Sequence, residues 1–119
     1  MLLAFVEAAS SGDLTPVETL LAEDAVAYTD GGGRVSAALI PITGVRRISL
    51  VFVHLWRKNQ DIDGFTVELS LVNGELALLG SEQGELHNVL TLEMDEDGLI
   101  RFIHVVRNPE KLQLRALAA

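Results

Sequence analysis

Cysteine is absent from this chain, which excludes disulfides and thiolate metal sites and fits a cytosolic protein. Basic residues are scarce. Nine Lys and Arg stand against seventeen Asp and Glu, for a formal net charge of −8. A domain that grips nucleic acid by itself carries a basic patch to neutralise phosphates, so direct nucleic-acid binding is not expected. The acidity also serves solubility. No apolar run approaches membrane-spanning length. Residues 1–6 are apolar, but no basic residue precedes them and Glu7 interrupts them, so they do not read as a signal peptide. Repeats, low-complexity tracts and linkers are also missing. At 119 residues the chain reads as one domain, 1–119. It is long enough to bury roughly two thirds of its unfolded surface without covalent staples.

What is present is a change of hydrophobic period along the chain. Residues 2–11 carry Leu2, Phe5, Val6 and Ala9 on one helical stripe. Gly12 and Asp13 end that helix. Thr15-Pro16-Val17-Glu18 predicts a second helix, with Thr15 as N-cap, Pro16 at the first helical position and Glu18 at the capping-box position. Its buried side would be Val17, Leu20 and Leu21. A short strand over 25–29 puts Val26, Tyr28 and then Asp30 on one face. After a glycine run, residues 35–40 read as a second extended segment, and Pro41 and Gly44 break the chain. Ile48, Val51, Phe52 and Leu55 predict a third helix over about 45–58. Arg46 and Arg47 at its start are either solvated or an anion contact.

Beyond a polar loop at 59–64 the period falls to two. Phe65, Val67, Leu69 and Leu71 alternate with polar residues, and Asn73-Gly74 is a strong hairpin signal. Residues 75–79 return, 80–85 read as a loop, and 86–95 form a long strand with Leu86, Leu90, Leu92 and Met94 on one face. Glu96-Asp97-Gly98 turns into a last strand, 99–107. Residues 111–117 read as a short terminal helix. Helices first and an antiparallel meander last indicate an α+β fold. Its curved sheet would wrap around three helices as a cone with a cavity at the open end.

Asp30-Gly31-Gly32-Gly33-Arg34 is the feature packing explains least. Glycine brings no side chain to bury and loses the most backbone entropy, so the run marks a turn or a close approach. It lacks the helix start and Lys-Ser pair of a phosphate-binding loop. Asp30 and Tyr28, near the cavity mouth, would suit proton transfer by a tuned carboxyl; Asp30 would equally cap N–H groups of its own turn. His104 shares its strand face with Ile100, Phe102 and Val106, either as a general base lining the cavity or as a hydrogen-bonded core histidine. His54, on the third helix, belongs to the pocket wall or the helix surface. His87 reads as outward. The three histidines show no ligand spacing, and neither metal nor cofactor is expected. Arg107 precedes Asn108-Pro109-Glu110-Lys111-Leu112 and Lys111 lies within it, where the two would meet a partner's acids or Asp30.

The glycine run resembles the Asp-Gly-Gly-Gly-Lys motif of a group of bacterial extracytoplasmic-function sigma factors. These carry a SnoaL-like domain, of the nuclear-transport-factor/ketosteroid-isomerase cone fold, behind their sigma regions. Asn108 to Leu112 resembles that group's Asn-Pro-Asp-Lys-Leu motif, and Val72-Asn73-Gly74 with Leu76-Ala77 its hairpin. Arg34 stands for lysine and Glu110 for aspartate; the first exchanges a point charge for a planar fork. The resemblance implies a cytoplasmic, non-catalytic regulatory domain. Residues Asp30, Gly31, Gly32, Gly33 and Arg34, with Asn108, Pro109, Glu110, Lys111 and Leu112, would touch the sigma regions or core RNA polymerase. The sigma regions themselves are not in this sequence, so the chain is either the excised domain or a free-standing relative. The alternative is a small enzyme or binding protein for a hydrophobic cyclic ligand, using Asp30, Tyr28, His54 or His104. Val89, Ile103 and Val105, opposite the face assigned inward, suggest a homodimer through the sheet.

Overall fold

Helix α1 (Leu2–Ser10) forms along the expected stripe and buries Leu2, Phe5, Ala8 and Ala9. In the computed structural model, which describes residues 1–30 and 41–107 with Asp30 as backbone alone, a second short helix follows directly. This α2 (Leu14–Glu18) starts earlier than Thr15 would have capped it: Asp13 takes the N-cap position in an extended conformation. Pro16 therefore lies inside the first turn, where its missing N–H leaves no bond unmade. Val17 is fully buried. The chain then enters β1 (Leu21–Asp30), longer than its apolar residues suggest, and crosses to a two-residue edge strand, β2 (Ile42–Thr43). The expected segment 35–40 and terminal helix 111–117 lie outside the described residues.

Helix α3 (Val45–Gln60) buries Ile48, Ser49, Phe52 and Val53. Ser49 is tolerated there because its hydroxyl donates to the Val45 carbonyl at 2.8 Å. Four antiparallel strands complete the fold: β3 (Phe65–Val72), β4 (Glu75–Glu82), β5 (Glu85–Met94) and β6 (Ile100–Val106). The single curved sheet has the order β2-β1-β6-β5-β4-β3. β1 pairs parallel to β6 and antiparallel to β2. The helices fill its concave side. The main core there includes Phe5, Ile48, Phe52, Leu90, Leu92, Ile100 and Ile103. The architecture is the expected α+β cone.

The 80–85 loop is not a loop. β4 runs on to Glu82, and a two-residue turn, Gln83-Gly84, leads straight into β5. Both turn residues have positive φ, 54° at Gln83 and 81° at Gly84, like 52° and 78° at Asn73-Gly74. Gln-Gly lacks the usual hairpin signature because glutamine tolerates the left-handed region less well than asparagine. Gln83→Asn is expected to raise stability by about 0.5 kcal/mol. A higher urea midpoint at unchanged m-value would show it; an unchanged or lower midpoint would count against this turn.

Bulges correct the expected faces of the last two strands. In β5 one residue is extra: Gly80 pairs with Asn88 but Ser81 pairs with Leu86. An inserted residue flips the alternation. Leu86 thus joins Val72, Ala77, Val89, Leu79 and Val106 in a second cluster on the outer face, not Leu90 and Leu92 in the core. In β6 the register skips Arg101, between Met94↔Ile100 and Glu93↔Phe102. Ile100, Ile103 and Val105 all belong to the main core as a result. The face expected to line the cavity through Phe102, His104 and Val106 is the outer one. Ile103 and Val105, expected on a dimer surface, are covered by the helices.

Candidate functional site

Between the helices and the concave sheet lies a cavity of about 80 Å³. Helix α1 presents Phe5, Val6 and Ala9 to it, and α3 presents Phe52, Leu55, Trp56 and Asn59. Phe65 and Val67 from β3 continue the apolar wall as their alternation predicts. Leu78 and Gly80 from β4, Asn88 and Leu90 from β5, Thr29 from β1, and Val105 and Arg107 at the end of β6 complete it. Among these residues Arg107 carries the one charge, and none is a carboxylate or an imidazole.

Two details set this cavity apart from plain core. Trp56 lines the cavity with its ring, and its indole Nε1–H is closed off from solvent and meets no acceptor among the described residues. Asn88 reaches the cavity because it alternates with Leu90 and Leu92 on the inner face of β5, and Gly80, its partner on β4, makes the room. A Cβ on Gly80 would stand 2.5 Å from Asn88 Oδ1 and 3.1 Å from its Nδ2. No sequence pattern pointed to the buried indole N–H, whereas the alternation that turns Leu90 and Leu92 inward turns Asn88 inward as well. The glycine in an otherwise regular strand was the available signal for a bulge or close approach.

Of the residues expected to carry acid–base chemistry, Tyr28, His54 and His104 do not line this cavity, and the Asp30 side chain lies outside the description. His54 is exposed on α3. His104 is exposed on the outer face of β6, and neither histidine lines the cavity. Tyr28 stands on that same outer face. Its ring stacks on His104 with centroids 5.4 Å apart and an 11° interplanar angle, and Phe102 lies 6.2 Å from both. The Arg101 guanidinium sits 5.3 Å over Phe102 and 3.7 Å from Asp24. With both partners of that ion pair well exposed, its contribution to stability is small. His104 also lines an outer groove with Val89, Thr91, Glu93 and Val106. No group of three or more His, Asp or Glu suited to a metal occurs among the described residues. No described helix is long and apolar enough to cross a membrane.

Of the expected interaction segments, 31–34 and 108–112 lie outside the described residues. Their approaches do not. Asp30, the last residue of β1, pairs in parallel with Val106, the last residue of β6. The chain therefore leaves the sheet at adjacent points and in the same direction on its way into both segments. Thr29, Val105 and Arg107, beside those exit points, also line the cavity.

Solved structures share this architecture. The extracytoplasmic function sigma factor SigJ of Mycobacterium tuberculosis matches with a TM-score of 0.69 and 19% identity over 93% of this chain. The match takes in 42% of SigJ, so this chain spans less than half of that protein. A steroid delta-isomerase from Pseudomonas aeruginosa matches with a TM-score of 0.59 and 18% identity, covering 99% of this chain and 92% of its own. A SnoaL-like protein from Burkholderia thailandensis gives a TM-score of 0.58 at 11% identity, covering 87% of each chain. At such identities the likeness establishes the fold, a SnoaL-like, NTF2-like cone shared by a sigma factor and by isomerase-like proteins. No family model matches the sequence, and no curated protein matches it.

Proposed function

We propose that this domain regulates a sigma factor of the extracytoplasmic-function type by touching its sigma regions or core RNA polymerase, without catalysis. The contact surface is formed by Asp30 to Arg34 together with Asn108 to Leu112. The observation that supports this reading is the parallel pairing of Asp30 with Val106, which sets the ends of β1 and β6, the approaches to the two segments, next to each other. The motif resemblance supplies the sigma-factor context, and the fold shared with SigJ agrees with it.

The enzymatic alternative draws less support from the geometry. A general base must reach its proton within about 3 Å or through one water. Of the residues that reading names, His54, His104 and Tyr28 do not line the cavity. An apolar cavity with amide and guanidinium groups at hand is suited to holding a ligand more than to moving its protons.

The test is transcription in vitro with this chain supplied to, or fused behind, the polymerase-binding sigma regions, alongside a binding measurement between the two. The expected result is binding and a severalfold change in promoter-dependent transcript. Double replacement of Asp30 and Arg34, or of Glu110 and Lys111, by alanine should abolish the change. Absence of both binding and any effect on transcription would refute the proposal.

A further inference from the structure

The cavity has three properties that belong together. Its walls are apolar and aromatic, through Phe5, Phe52 and Leu55; Arg107 supplies positive charge; and the Trp56 ring lies in the wall, its indole N–H buried and without an acceptor among the described residues. A volume of about 80 Å³ corresponds to roughly five to eight water-sized positions, hence to about as many enclosed non-hydrogen atoms of a ligand. The Asn88 amide lies against Gly80 in space a side chain at that position would fill, with Asn88 Oδ1 2.5 Å from where a Cβ would stand. The wall is thus shaped around a polar group where a valine or leucine would have given plain core.

We propose that this cavity binds a small carboxylate with a flat apolar body. The body lies among Phe5, Phe52 and Leu55. The carboxylate meets the planar fork of Arg107, which suits two parallel N–H···O bonds, with the Asn88 amide as a further donor. In a chain of net charge −8, an anion is drawn to this place by local geometry and not by the overall field. Arg107 follows directly on β6 and adjoins the exit toward 108–112, so a bound anion would sit at the root of the proposed regulatory surface. Binding itself stands without the regulatory reading; only its consequence for transcription rests on that reading.

The chain has a single tryptophan, so its one indole N–H resonance reports on the cavity. The experiment titrates the full ¹⁵N-labelled chain with benzoate, and separately with neutral benzyl alcohol, at constant ionic strength. Benzoate is expected to move the Trp56 indole signal along a saturable curve. Arg107→Gln, at an exposed position, should weaken benzoate about tenfold or more, the value of one charge-assisted hydrogen bond, and leave benzyl alcohol unchanged. Gly80→Ala, which displaces the Asn88 amide, should also weaken benzoate. Equal binding of both probes with indifference to Arg107, or an indole signal that neither probe moves, would overturn the proposal. Neither outcome depends on the transcription result.

Discussion

Ile103→Ala is expected to cost about 2–5 kcal/mol, whereas His104→Ala, one residue along, should cost only about 0.5–1.5 kcal/mol. Ile103 has no exposed surface. It sits in register with Ala27 on β1 and Leu92 on β5, on a strand with a neighbour on each side. Removing its side chain forfeits transfer free energy and leaves a void that flanking strands cannot close without breaking their ladders. His104 is exposed and loses little beyond its stacking on Tyr28. Domains of this size are stable by about 5–15 kcal/mol, so the first substitution removes a large fraction of the total. Urea denaturation of both variants, read at constant m-value, checks the prediction. Equal costs, or the reverse order, would put the wrong face of β6 inward.

That contrast also marks where the sequence stops being legible. Alternation along 99–107 is regular, and reading it strictly puts Phe102, His104 and Val106 inward. The bulge at Arg101 leaves no mark in apolar pattern, because residues on either side of it remain apolar on both faces. The same happens in β5, where the inserted residue separates Leu86 from Leu90. The helices were readable because Phe5, Ile48 and Phe52 recur at helical spacing and nothing competes with that period. The Asn73-Gly74 hairpin was readable from its turn chemistry; Gln83-Gly84 was not, since sheet pairing on both sides imposes a left-handed glutamine that local preference would not choose. For the candidate site the cost was direct. His104 and Tyr28 drew attention as titratable groups on an apolar strand, yet the cavity is lined by Asn88, Trp56 and Arg107. Those residues become adjacent only when the sheet curls, and no spacing along the chain encodes that.

The aromatic pair that joins α1 to α3 should be nearly as costly to break. Phe5 and Phe52 are 3% and 5% exposed and meet edge to face, with centroids 5.4 Å apart at 70°. Phe52→Ala is expected to destabilise the domain by about 3–5 kcal/mol, and a double-mutant cycle with Phe5→Ala should show coupling of about 0.5–1.5 kcal/mol. The two single variants should nevertheless differ in kind. Helix α1 has nine residues, no side-chain cap and no acid in its first turn, and a helix that short does not persist in water by itself. Its structure depends on docking Leu2, Phe5, Ala8 and Ala9 against the rest. Phe5→Ala should therefore raise hydrogen exchange selectively at the α1 amides while β5 and β6 stay protected; Phe52→Ala, made in the middle of α3, should lower protection throughout. Either change also removes an aromatic wall of the cavity, so benzoate should bind both variants more weakly than the parent chain, even where the fold persists. Undiminished α1 protection in Phe5→Ala would mean that the helix is held by contacts other than this ring pair.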